Sequence, residues 1–282
     1  MRSIDLVISY YKEDLDWLND YKHITFRNIY IYAKGPTTPT IHFPHTVVKL
    51  ENIGRESHTY LYHITKNYND LADITVFTTG SSSIEYKKKK LKFIIDKSLE
   101  TETSVFKGTR STNVRNDNYD FILDSYESTH VNNKEGDEAK IIKQSHIRPY
   151  GKWYEKNFPD IDIDLINYCA IFSVSKEHIH QHKKDYYMNL LYEHPRHSNP
   201  EVGHYFERSW VAVFHPIPKR CLYYDDTIQE PFVDSIPKIN IYLIVLVITI
   251  LILAILVRYY KSVLKIINKS IEYFLGRILR GF

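Results

Sequence analysis

Val47–Phe77 reads VVKLENIGRESHTYLYHITKNYNDLADITVF, and this stretch decides the fold class. Val47–Leu50 is a short β-branched run of the kind that forms a strand. Gly54 then allows a turn that a side chain would oppose. From Arg55 to Tyr68 apolar and aromatic residues recur at helical spacing, so a helix is expected there. Ile74–Phe77 is apolar and β-branched again, a second strand. Strand, helix and strand in immediate succession form a βαβ unit, which joins parallel strands through a crossover helix.

Working outward, Leu6–Tyr10 (LVISY) and Asn28–Tyr32 (NIYIY) are earlier strands, with Asp14–Tyr21 a helix between them. Phe121–Leu123 and Ala170–Val174 are later strands, and Lys176–Tyr192 and Glu201–Val213 are helices. Residues 98–150 are polar and irregular and read as long loops or an insertion. The expectation is one α/β domain over residues 1–235, with a mostly parallel sheet and flanking helices.

The 282 residues carry 37 Lys and Arg against 34 Asp and Glu, a net charge of +3 that hides a division. Residues 239–257, INIYLIVLVITILILAILV, hold no charge. As a helix they would span roughly 28 Å, close to the hydrocarbon thickness of a bilayer, so a transmembrane helix is expected. Residues 258–282 follow with six basic side chains and one acid, Glu272, leaving this tail at +5 and residues 1–257 at −2. Val263, Ile267, Ile271, Phe274 and Ile278 recur at helical spacing opposite Lys261, Lys265 and Lys269. That is the pattern of an amphipathic helix lying on anionic lipid. The charge therefore points to a lipid bilayer as partner, and a net-negative domain without a basic stripe excludes nucleic acid. The opening MRSIDLVISYYKEDL shows no secretory signal, so the expected arrangement is a single-pass C-terminal anchor with the large domain cytosolic. The positive-inside rule, with Lys and Arg after the span, argues for the opposite orientation.

Chemistry-bearing residues cluster after strands, where open α/β sheets bind ligands. Glu13 and Asp14 follow the first strand and could accept hydrogen bonds from a ribose or base, or simply favour a helix N-terminus. Gly54 can bring the backbone close to a ligand, Arg55 offers a fixed fork for phosphate, and His58 lies one turn on. A capped amphipathic helix explains the same residues without a ligand. Near the domain's end, Glu207 is the best general-base candidate, with Arg208 beside it to steady a phosphate. The plain alternative is a Glu–Arg surface pair with Trp210 in the core. Lys87–Lys90 with Lys92 form a basic run that could meet phosphates, sulfated glycans or lipid, or be a solvated face. Two cysteines, Cys169 and Cys221, are too few for a disulfide framework, and the 14 histidines match no zinc signature.

LVISYYKEDLDWL at 6–18, NIGRESHTYLYHITKNYNDLADITVF at 52–77 and HYFERSWVAVF at 204–214 together resemble an uncharacterised family, domain of unknown function 3431. That family, found in fungi, algae and large DNA viruses, is itself similar to nucleotide-sugar glycosyltransferases of the A-type fold. The resemblance implies a donor diphosphate at Gly54 and Arg55, a nucleoside near Glu13 or Asp14, and Glu207 as base. It also implies a metal-holding Asp-x-Asp after the next strand. Here the sequence reads Thr78-Thr79-Gly80-Ser81-Ser82-Ser83, without a carboxylate. Hydroxyls alone hold Mg²⁺ or Mn²⁺ poorly. Either Lys or Arg neutralises the diphosphate in the metal's place, or the site is not catalytic. Asp160, Asp162 and Asp164 are a substitute on paper, sharing one face if extended. Two functions follow as expectations: a membrane-anchored glycosyltransferase-like enzyme, or a non-catalytic viral or membrane surface protein that uses the fold to bind glycans or partners.

Overall fold

β1 (Ile4–Tyr10) is buried along nearly its whole length because β2 (Asn28–Ala33) and β4 (Ile74–Thr79) flank it, both parallel. An interior parallel strand covered on both faces needs apolar residues on both, hence the unbroken LVI. Leu6, Ile8 and Tyr10 face one layer with Ile31 and Val76; Val7 faces the other with Tyr32 and Phe77. The computed structural model describes residues 2–126 and 141–225, and near the C-terminus 258–261, 264–265 and 267–269. The chain divides into two units, Met1–Gln229 and Glu230–Phe282.

In the first unit β3 (Thr46–Lys49) pairs with β2 at the edge and α1 (Arg55–Asn67) crosses over to β4. α1 buries Ser57, Tyr60, Leu61 and Ile64, the i, i+3, i+4, i+7 stripe of a helix lying on a sheet. α2 (Glu85–Thr101) buries Leu91, Ile94, Ile95 and Ser98 in the same spacing on the opposite face. Next come β5 (Val105–Arg110), α3 (Val114–Asp117), α4 (Tyr150–Asn157), β6 (Leu165–Ile166) and β7 (Phe172–Ser175). The unit closes with α5 (Lys176–Ile179), α6 (Lys184–Tyr192), α7 (Glu201–Val213) and β8 (Leu222–Tyr224). The sheet order is β3-β2-β1-β4-β7-β5-β6, with β8 paired to β5. α1, α4, α6 and α7 cover one face; α2 and a 3₁₀ turn at Asp16–Tyr21 cover the other. α7 is buried on almost every side, with Tyr205, Phe206 and Trp210 in the larger core.

The expected α/β architecture is present, but the sheet is mixed. β7 runs antiparallel to both β4 and β5, and β6 antiparallel to β5. The expected helix at 176–192 is two, Lys176–Ile179 and Lys184–Tyr192, and in the gap Tyr68 Oη donates to the His182 carbonyl at 2.5 Å. The helix expected from Asp14 is only a 3₁₀ turn from Asp16. Phe121–Leu123 is not a strand: the Leu123 amide donates to the Glu201 carboxylate at 2.8 Å. Within 98–150, the end of α2, the buried half of β5 and α3 replace the expected loop. Asp160, Asp162 and Asp164 do not form a metal site. Asp162 takes Asn113 and Arg115, and Asp164 accepts from Tyr224. Among the described residues no group of three or more His, Cys, Asp or Glu is placed to hold a metal.

In the second unit, residues 258–261, 264–265 and 267–269 are helical and exposed. The expected span at 239–257 lies outside the described residues, as does the rest of the tail. Among the described residues no helix is long and apolar enough to cross a membrane.

Candidate functional site

β2 and β3 lie on one side of β1 and β4 lies on the other, so strand order reverses between β1 and β4. In open α/β sheets ligands bind in the crevice outside the carboxyl ends of the strands at such a switch point. Beside it, at the carboxyl ends of β1, β2 and β3, lies an open pocket of about 640 Å³ lined by Tyr11, Lys34, Pro36, Lys49, Glu51 and Asn52. Lys34, just past β2, is buried, and its Nζ donates to the carbonyls of Ile53 (2.6 Å) and Arg55. Burial pulls its ammonium down to about 7 against the opposing charge of Glu56.

The entry to α1 forms the middle of the crevice. Gly54 (φ 65°) and Arg55 (φ 47°) are both left-handed, a conformation that costs a non-glycine residue free energy and tends to occur at functional sites. Arg55 Nη1 donates to Asn199 Oδ1 at 3.1 Å, and its guanidinium lies 4.7 Å from the Tyr126 ring centre. A Cβ on Gly54 would sit 2.4 Å from His58 Cβ and 2.8 Å from the His194 ring. Gly54→Ala is therefore expected to cost about 1–3 kcal/mol from strain and crowding together. A urea midpoint equal to that of the parent protein would refute this.

The far wall exists because β7 is antiparallel. Phe172 pairs with Phe77, so the residues preceding β7 arrive at the same end of the sheet as those following β4. The 3₁₀ turn Tyr168–Ala170 thus borders the crevice, with Cys169 (φ 67°) and Ala170 (φ 49°) both left-handed. Glu207 on α7 fixes this turn: its Oε1 accepts the Cys169 amide at 3.1 Å, and its Oε2 lies 3.5 Å from His204 Nδ1. Burial raises the Glu207 carboxyl, but His204, Arg208 and Arg55 together outweigh it and hold the group well below the usual carboxylate range. Arg55 and Glu207 are therefore electrostatic neighbours.

Residues 6–230 match the family described as Protein of unknown function (DUF3431). The chain belongs to that family. No curated protein matches it.

Of the residues singled out from sequence, the DUF3431 domain brings together Gly54, Arg55, Glu207 and Arg208. Arg208 stacks 3.6 Å from the Phe121 ring centre, and Nη1 donates to the His204 carbonyl. Its buried Nε has no hydrogen-bond partner among the described residues. Glu13 borders the crevice, but its Oε2 accepts the amides of Tyr11 (2.7 Å) and Lys12 (3.1 Å). It packs so close to Gly80 that a Cβ there would lie 2.6 Å from the carboxylate. It shapes the β1 loop. Asp14 accepts the Asp16 amide at 2.7 Å and starts the 3₁₀ turn. His58 turns inward, 5.8 Å from His194 and stacked on Tyr62.

Sequence reading missed Lys34, Cys169 and the way α2 divides the basic run. Lys88 pairs with Asp20, Lys89 with Glu85 and Lys92 with Asp96 on the surface. Lys87 donates to Ser81 Oγ at 2.8 Å, and Lys90 to the Tyr168 carbonyl at 2.6 Å. The one available signal was the i, i+3 spacing of Lys87 and Lys90, which puts them on one helix face.

Proposed function

We propose that this domain binds a nucleotide-sugar donor in the crevice at the carboxyl ends of β1–β4 and transfers the sugar to a hydroxyl acceptor. The observation that carries the reading is that Arg55, from the start of α1, packs on α7 one turn before Glu207, its Cδ 3.7 Å from the Cβ position of Gly203, near a topological switch point. The cavity beside Lys34 takes the nucleoside, with Tyr11 and Pro36 supplying apolar surface and Glu51 and Asn52 polar groups. Arg55 faces the diphosphate. Glu207 accepts the proton of the acceptor hydroxyl as its oxygen attacks the anomeric carbon. The bond from that carbon to the phosphate oxygen breaks, and the nucleoside diphosphate leaves with the electron pair. His204, with Arg208 and Arg55, keeps the Glu207 carboxylate ionised before donor binds. An anionic donor offsets their charge and raises its proton affinity at the moment a base is needed.

The apolar run at 239–257 and the +5 tail support a domain carried on a membrane by a C-terminal anchor. The non-catalytic reading gains no support from a free basic surface, since Lys88, Lys89 and Lys92 are each ion-paired.

A thermal-shift series with UDP- and GDP-sugars tests the donor reading. At a hundredfold excess over Kd a donor adds about 2.7 kcal/mol, which raises the midpoint by about 5–10 °C. The rise is expected to disappear in Arg55→Ala. No rise with any nucleotide sugar would overturn the proposal.

A further inference from the structure

The strand end where the family resemblance calls for a metal-holding carboxylate is a knot of hydroxyls. Thr78 Oγ1 and Ser82 Oγ lie 2.7 Å apart, Thr79 Oγ1 and Ser81 Oγ 3.1 Å, and Ser82 Oγ donates to the Thr79 carbonyl at 2.8 Å. A divalent cation needs ionised or carbonyl oxygens freely aimed at it, and these hydroxyls are occupied with one another. The donor set does not fit a metal.

What the fold brings there instead is positive charge. α2 starts directly after the hydroxyl knot and runs back over the opposite sheet face from α1. Lys87 and Lys90, one turn apart, are half-buried, and their amino groups reach Ser81 on one side and Tyr168 and Asn167 on the other. They thus bridge the end of β4 and the left-handed turn before β7. Lys90 bonds the Tyr168 carbonyl and Glu207 the amide of the next residue, Cys169, while Lys87 bonds Ser81 at the end of β4, so the two lysines flank the turn that Glu207 holds.

We propose that Lys87 and Lys90, presented by α2 across the end of β4, hold the diphosphate of the donor in place of a divalent cation. The inference rests on the donor reading above and specifies how that donor is held. Two ammonium groups and the Arg55 guanidinium match a group carrying about two to three negative charges. They also neutralise the charge that grows on the leaving phosphate as the sugar bond breaks. The short ammonium-to-carbonyl contact of Lys90 keeps it in position before the ligand arrives.

Inorganic pyrophosphate is the probe, titrated calorimetrically into the full-length chain in detergent, with EDTA and with Mn²⁺. Binding is expected in EDTA, with an affinity within twofold of that in Mn²⁺. Lys87→Met and Lys90→Met are each expected to weaken it at least tenfold, while Lys88→Met and Lys89→Met leave it within twofold. Lys90→Met removes a tether to the Tyr168 carbonyl and loosens the turn, so Lys87→Met, whose one hydrogen bond among the described residues is to the Ser81 hydroxyl, is the decisive variant. Binding that requires Mn²⁺, binding equal in Lys87→Met and Lys88→Met, or no binding at all would overturn the proposal. The outcomes separate from those of the nucleotide-sugar series. Stabilisation by a nucleotide sugar only with Mn²⁺ would sink the lysine cradle and leave the transfer reading. Pyrophosphate binding in EDTA without stabilisation by any nucleotide sugar would do the reverse.

Discussion

Acidification from pH 7 to pH 4 is expected to unfold the first unit cooperatively, driven by the buried His63 and His194 and the half-buried His58. Burial, with the charges of Lys34 and His194 in second place, lowers His58 to about 2. Burial likewise lowers His63 and His194 to about 3. His63 Nδ1 bonds Tyr32 Oη at 2.9 Å, and His194 Nε2 bonds Ser57 Oγ at 2.8 Å, so the rings pack between α1 and its neighbours as neutral groups. The sign follows from linkage. A histidine whose folded pKa lies below its unfolded value of about 6.5 stabilises the fold above that pH. The contribution is lost as pH falls from about 6.5 towards 3, because the unfolded chain takes up protons that the fold refuses. With three such groups the slope approaches about 4 kcal/mol per pH unit once the pH is below about 5.5. Against a domain stability of about 5–15 kcal/mol, that is enough to cross the midpoint within two or three pH units. Urea unfolding at pH 7, 6, 5 and 4.5 reads the slope directly. Replacing His194 by Gln is expected to reduce it to about two thirds. A flat profile between pH 6 and 4.5 would show that these rings titrate normally.

Glu201→Ala is the substitution expected to destabilise the domain most. Glu201 opens α7 and is completely buried. Its carboxylate accepts the amides of Leu123 (2.8 Å) and Ser145 (2.9 Å) and pairs with Arg148 Nε at 2.9 Å. Two separate stretches of chain, around Leu123 and around Ser145–Arg148, are thus fastened to one side chain. Truncation leaves the buried Leu123 amide and the half-buried Ser145 amide without an acceptor and Arg148 without its inner partner, and breaking such a pair costs about 3–5 kcal/mol. Glu201→Gln keeps an acceptor oxygen and is expected to cost about half as much. The loss should reach the candidate site. Asn199, two residues before Glu201, orients Arg55 and also donates to the Tyr126 carbonyl, so the strap over Arg55 loosens with the anchor. Urea midpoints for both variants measure the effect. A change below about 1 kcal/mol for Glu201→Ala would mean that the carboxylate is not holding these loops.

How much was legible in sequence depended on how strongly each element declares itself locally. β1, β2 and β4 are buried on both faces and read as apolar runs; α1 and α7 carry broad apolar stripes. α2 was hidden because its stripe is narrow and its other faces are Lys and Glu, so a helix lying on the sheet resembled a charged loop. β5 was hidden because only its first half is buried, Val105 and Phe106, before it runs out as Lys107 to Arg110. Lys34 had no local signal. Its burial comes from Ile53 and Arg55 closing over it, residues that follow a further strand.

By itself the sequence determined the βαβ unit at Val47–Phe77, the α/β class, the family, and a uniformly apolar run followed by a +5 tail. These are properties of neighbouring residues, fixed by side-chain period and composition. The tertiary structure alone decided that β7 enters the sheet antiparallel, carrying the Cys169 turn to the mouth of β4. It also decided that Glu207 meets Arg55 and that Lys87 and Lys90 separate from Lys88 and Lys89. Such juxtapositions arise when strands far apart in the chain become neighbours through backbone hydrogen bonds. Their order is set by how the whole core packs, which no local pattern encodes.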